Sequence, residues 1–128
     1  MKKKININNF VADYLTTAAW VTSEAGECTD FTREAKKTAK ADCIKFIGLV
    51  TDKLGEDKAI ELLTVQGNDL GYLAPHCFFL NRNGHGTGFW DRENEFGEYN
   101  AEILSQLSKE MGEIDCYHIR GNKSKLTF

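Results

Sequence analysis

Apolar residues recur at spacings of three and four from Asn9 to Thr22, at Phe10, Val11, Tyr14, Leu15, Ala18 and Val21, which predicts a helix with one buried stripe. Asn8 or Asn9 is placed to cap it, because a short polar side chain accepts a hydrogen bond from a first-turn amide. Trp20, near its end, is expected to anchor the helix to the core. The polar stretch "SEAGECTD" (23–30) reads as a loop. A second stripe, Ala35, Ala39, Cys43, Phe46, Ile47, Val50 and Leu54, predicts a long helix from about Thr32, stopped by Gly55. Acidic residues at the start of "EDKAIELLTVQG", an apolar side at Ala59, Ile60 and Leu63, and Gly67 beyond them predict a shorter third helix.

After Pro75 the pattern changes. "HCFFLNR" and "GTGFW" are rich in aromatic residues and flank Asn83-Gly84, a dipeptide suited to a two-residue turn, so two antiparallel strands are expected. In that register Arg82 faces His85, Phe78 faces Phe89, and His76 faces Asp91. A polar loop over 93–99 leads to a helix from Asn100 to Met111 with Ile103, Leu104 and Leu107 inward and Gly112 as its stop. "IDCYHIR" and "KLTF" around "GNKS" predict a second hairpin. The expected fold class is therefore α+β in the order ααα-ββ-α-ββ, with helices packed on one face of a small antiparallel sheet made of two β-hairpins.

The chain has 128 residues, enough for a single core and a single domain, with residues 1–8 expected to be flexible. Nineteen acidic and sixteen basic side chains, net charge −3, are scattered along the sequence and leave no continuous basic surface for general nucleic-acid binding. "MKKKININNF" lacks the apolar core and cleavage site of a secretory signal, and no segment has membrane-spanning length, so a cytoplasmic protein without a membrane partner is expected. Cys28, Cys43, Cys77 and Cys116 are widely spaced and read as reduced thiols.

Candidate chemistry concentrates in "RNGHGTGFWDR" (82–92). Arg82, Asn83 and His85 would form a polar tip with glycine amides between them, backed by Trp90, Asp91 and Arg92, able to hold a phosphate, a carboxylate or an acidic protein surface. A purely structural role for the glycines and aromatics accounts for the same pattern. The spacing matches neither a Walker loop nor a dinucleotide fingerprint, so no cofactor is expected. A catalytic role would use His85 or His76 as base and Asp91 as orienter, but Thr87 and Cys77 are the nearest nucleophiles and neither is well signposted. A metal site would recruit Cys116 and His118 with Cys77, His76 or Cys43; no CxxC or HxxxH spacing supports it, and none is expected.

"APHCFFLNRNGHGTGFWDR" resembles the "AGHDFWLTRNGHGAGFWDR" type of signature found in a family of small, mostly uncharacterised phage-encoded proteins. The shared positions are Ala74, His76, Phe78, Leu80, Arg82 to Gly86 and Gly88 to Arg92, while Pro75, Cys77, Phe79, Asn81 and Thr87 differ. The aspartate of the signature is absent at Cys77, which argues against a mechanism needing a carboxylate there. "YLTTAAW", "ADCIKF" and "YHIRGNKSKLTF" extend the likeness over nearly the whole chain. The resemblance implies a phage accessory protein in the cytoplasm of an infected bacterium, binding a host protein or an anionic small molecule such as a nucleotide, rather than an enzyme. The alternatives are a small hydrolase or nucleotide-processing enzyme using His85 or His76 with Asp91, and a structural or virion-associated protein. Oligomeric state is left open.

Overall fold

The computed structural model describes residues 4–22, 30–67, 71–84, 88–119 and 122–128. Among the described residues six helices carry the fold: α1 (Ile7–Thr22), α2 (Arg33–Leu54), α3 (Glu56–Leu63), α4 (Leu73–Arg82), α5 (Glu93–Phe96) and α6 (Glu98–Glu110), with a 3-10 turn at Phe89–Asp91. Among the described residues the named strands are β1 (Tyr117–Ile119) and β2 (Asn122–Thr127), a short antiparallel pair with Tyr117 opposite Thr127. The architecture is mainly helical, and the expected α+β arrangement of two β-hairpins under a helical layer is not formed.

The largest departure lies at "HCFFLNR", which is the body of α4 and not a strand. Pro75 sits in the first turn of that helix, where its missing amide has no helical partner to lose. Asn83 and Gly84 end the helix, and Gly84 adopts φ 65°, the left-handed geometry that commonly closes an α-helix. The dipeptide expected to turn a hairpin thus stops a helix. Beyond it, Phe89, Trp90 and Asp91 wind into the 3-10 turn, and the stretch expected to be a loop over 93–99 contains α5 and the first two residues of α6.

Other boundaries move less. Helix α1 begins at Ile7, and Asn6 Oδ1, rather than Asn8 or Asn9, accepts the Asn9 amide at 3.1 Å. Thr32 Oγ1 caps α2 by accepting the Ala35 amide at 3.0 Å. Helix α3 ends at Leu63, short of Gly67. Trp20 is 64% exposed and does not anchor α1 to the core.

Aromatic rings join the layers. Phe46 of α2 stacks on Phe78 of α4 with centroids 4.1 Å apart and planes 6° from parallel. Phe46 also meets Phe89 at 5.9 Å, and Phe89 meets Phe96 edge-on at 5.1 Å. Tyr14 of α1 packs against Phe78 and Phe79 at 5.3 and 5.4 Å. Helix α4 is therefore central: Ala74, Pro75 and every residue from Cys77 to Arg82 are buried. The C-terminal strand docks where α2 begins, since the Thr32 amide donates to the Leu126 carbonyl at 3.0 Å and the Leu126 amide to the Asp30 carbonyl at 2.8 Å.

Candidate functional site

The residues singled out in 82–92 do not share one polar tip. Arg82 points inward and is 6% exposed. Its Nη1 donates to Asp42 Oδ2 at 2.8 Å and to the Tyr14 hydroxyl at 3.0 Å, its Nε to the Gly112 carbonyl at 2.8 Å, and its Nη2 to the Met111 carbonyl at 3.3 Å. The guanidinium also lies 5.3 Å from the Phe78 ring centroid. Burial pushes the Tyr14 hydroxyl well above its ordinary pKa against the opposing pull of Arg82, so it stays protonated. This arrangement ties α1, α2, α4 and the end of α6 together.

Asn83 works beside it. Its Nδ2 donates to the Phe79 carbonyl at 3.1 Å and its Oδ1 accepts the Ile114 amide at 2.8 Å, joining the end of α4 to the segment after α6. Asp91 Oδ1 accepts the Gly88 amide at 3.1 Å. Trp90 is 51% exposed, while Arg92 is half-buried. His85, Gly86 and Thr87 lie outside the described residues, as do Cys28 and the side chain of His118.

Arg92 and His76 come together in a different place, a cleft of about 240 Å³ between α1, α4 and the turn that follows the 3-10 segment. Asp13, Thr16 and Thr17 of α1 form one wall, Gly67, Gly71 and Tyr72 close one end, and Leu73, His76 and Arg92 complete the lining. Helices α1 and α4 run side by side in the same direction, because Asp13 Oδ2 accepts the Tyr72 amide at 2.9 Å and Thr17 Oγ1 meets His76 Nδ1 at 2.9 Å one turn further along both. Among the described residues the Arg92 guanidinium makes no hydrogen bond or ion pair.

Desolvation, and secondarily the positive charge of Arg92, lowers the His76 pKa below its ordinary value, so the ring is neutral at pH 7. Nδ1 is oriented by Thr17 and not by a carboxylate. The neighbouring Cys77 is buried, and its thiol is pushed up to about 12 chiefly by desolvation, which makes it a poor nucleophile. Cys43 and Cys77 are free thiols. Among the described residues no group of three or more His, Cys, Asp or Glu side chains is arranged to hold a metal ion.

Asp13, Thr16 and Thr17 were not singled out by the sequence. Their spacing of three and four places them on one polar side of α1, but a solvated helix face has the same spacing. Their closeness to His76 comes from a contact spanning 59 positions.

Fold and cleft together define a small, mainly helical protein with a largely apolar cleft between two parallel helices, into whose lining Asp13, His76 and Arg92 bring charge and polarity. No family model, curated protein or solved structure matches the chain. No helix among the described residues is long and apolar enough to cross a membrane.

Proposed function

We propose that the chain is a phage accessory protein acting by non-enzymatic binding in the cytoplasm of an infected bacterium, and that its cleft captures a small ligand bearing an anionic group. The observation that carries this reading is Arg92: a half-buried guanidinium lining a cleft, with no hydrogen-bonding partner among the described residues. Such a group offers five donors in a planar fork suited to carboxylate or phosphate. The cleft is smaller than the roughly 300–1,000 Å³ of pockets that enclose drug-sized molecules, so it fits a compact ligand or one end of a nucleotide. The phage setting rests on the resemblance of residues 74–92 to the phage-encoded signature.

Calorimetry with inorganic phosphate, simple carboxylates and nucleoside monophosphates tests the reading. At least one should bind, and Arg92→Gln should weaken it about 10- to 100-fold, the loss of a charged hydrogen-bond donor. Binding unchanged in Arg92→Gln, or no binding by any of them, would overturn it.

A catalytic alternative is favoured by one observation. The Thr17 hydroxyl lies 3.1 Å from the Asp13 carbonyl and 2.9 Å from His76 Nδ1; when its proton goes to the carbonyl, as in many helix threonines, Nδ1 carries the ring proton and Nε2 keeps a lone pair. A neutral imidazole with a free Nε2 is the form a general base takes, with Thr17 in the orienting role expected of Asp91. Chromatography of each bound ligand after incubation separates the readings: intact recovery supports binding, and conversion lost in His76→Gln supports catalysis.

A further inference from the structure

We infer that the cleft's ligand is a small zwitterion of amino-acid size, with its carboxylate on Arg92 and its ammonium on Asp13; this rests on the cleft being the binding site proposed above. The argument is a count of donors and acceptors. Thr16 Oγ1 donates to the Ala12 carbonyl at 2.9 Å and Thr17 Oγ1 to the Asp13 carbonyl at 3.1 Å, so both hydroxyl protons are engaged within α1. Toward a ligand, Thr16 therefore presents an acceptor. In the tautomer with its proton on Nδ1, His76 donates to Thr17 and presents Nε2 as an acceptor too.

Asp13 adds a negative charge. Its Oδ2 accepts the Tyr72 amide at 2.9 Å, and among the described residues Oδ1 accepts no hydrogen bond. The backbone of Gly71 lies so close that a Cβ there would stand 2.8 Å from Oδ1, so the carboxylate is seated tightly against that end of the cleft. The same cleft also contains the donor fork of Arg92.

A purely anionic ligand would satisfy Arg92 and face an unmatched carboxylate. A purely cationic one would satisfy Asp13 and meet a guanidinium. An ammonium supplies three donors for Asp13, Thr16 and His76, while a carboxylate on the same molecule accepts from Arg92, so both charges in the cleft are matched at once. The volume of about 240 Å³ suits a molecule of that size.

The test is calorimetry with free α-amino acids, their N-acetyl derivatives, which lack the ammonium, and their amides, which lack the carboxylate. At least one free amino acid should bind tenfold or more tightly than both of its blocked forms. Asp13→Asn, which keeps an acceptor for the Tyr72 amide, should remove the preference over the N-acetyl form while anion binding through Arg92 survives; Arg92→Gln should weaken both. Circular dichroism and thermal melts confirm that each variant folds. If the N-acetyl compound binds as well as the free amino acid, or if the preference persists in Asp13→Asn, the zwitterion inference fails and anion binding stands. If no free amino acid binds, the inference fails, and the wider reading falls with it only when phosphate, simple carboxylates and nucleoside monophosphates also fail to bind.

Discussion

Arg82 and Asp42 form an ion pair at 2.8 Å, with the arginine side chain 4% and the aspartate 23% exposed. The pair bridges α4 and α2, and the guanidinium goes on to Tyr14, Met111 and Gly112. Removing one partner of a buried pair leaves the other charge uncompensated, so Arg82→Met should destabilise the protein by about 3–5 kcal/mol in chemical denaturation. Arg82→Lys should recover part of that, because an ammonium keeps the charge but cannot reproduce the planar fork that reaches three elements. Equal stability of wild type and Arg82→Met would show the cluster to be dispensable.

Gly84 and Gly88 should respond differently to alanine. Both have positive φ, 65° and 149°, but a Cβ at Gly84 meets nothing within 4 Å, whereas one at Gly88 would lie 2.4 Å from Asn81 Oδ1. That oxygen accepts the Phe89 amide at 2.9 Å, and Asn81 Nδ2 donates to Ser105 Oγ at 2.9 Å, so Asn81 cannot move aside without breaking buried hydrogen bonds. Gly84→Ala should cost about 1–2 kcal/mol from backbone geometry alone. Gly88→Ala should cost about 2–4 kcal/mol, since overpacking is added to strain.

The lowered pKa of His76 has a defined consequence for stability. The unfolded chain takes up a proton near pH 6.5 while the folded ring resists it, so the native state binds fewer protons in the interval below that value. The contribution is fully present above about pH 6.5 and declines as pH falls from there toward the folded pKa. Denaturation midpoints at pH 7.5 and 5.5 should therefore differ more for wild type than for His76→Gln. An identical pH response in the two proteins would count against a desolvated imidazole at this position.

Thiol reactivity should follow burial. Desolvation raises the pKa of Cys43 and Cys77, and both are 1% exposed or less, whereas Cys116 is half-buried. Alkylation of the native protein near pH 7.5, followed by peptide mass analysis, should modify Cys116 before Cys43 and Cys77, and all three should react once the chain is denatured. Early labelling of Cys77 would place it outside the core.

How much of this was legible depends on whether an element has a wet side. Helices α1, α2, α3 and the body of α6 each alternate an inward stripe with solvated positions, and their period could be read directly. Helix α4 has almost no solvated position, since its residues from Cys77 to Arg82 are all buried, and an apolar aromatic run without a polar face fits a strand as well as a helix. Asn83-Gly84 then reinforced the wrong choice, because the left-handed backbone that glycine permits serves a hairpin turn and a helix stop equally. Arg82 stood out as a polar residue that a hairpin did not require. Its use inside the core depends on Asp42 and Tyr14, 40 and 68 positions away, and no local pattern encodes such distances. Of the cleft, His76 and Arg92 were named from sequence for other reasons, and Asp13, Thr16 and Thr17 were not.

The parallel run of α1 beside α4 makes the cleft a long-range object. Its two hydrogen-bonded closures, Asp13 with Tyr72 and Thr17 with His76, each join residues 59 positions apart, so its walls exist only where the fold holds both ends of a long intervening chain together. A molecule held between Asp13 and Arg92 would act as a removable cross-link between the first helix and the centre of the fold. Its occupancy would then be felt in the unfolding equilibrium of the chain, with a midpoint that climbs as the logarithm of free ligand concentration once the cleft is saturated.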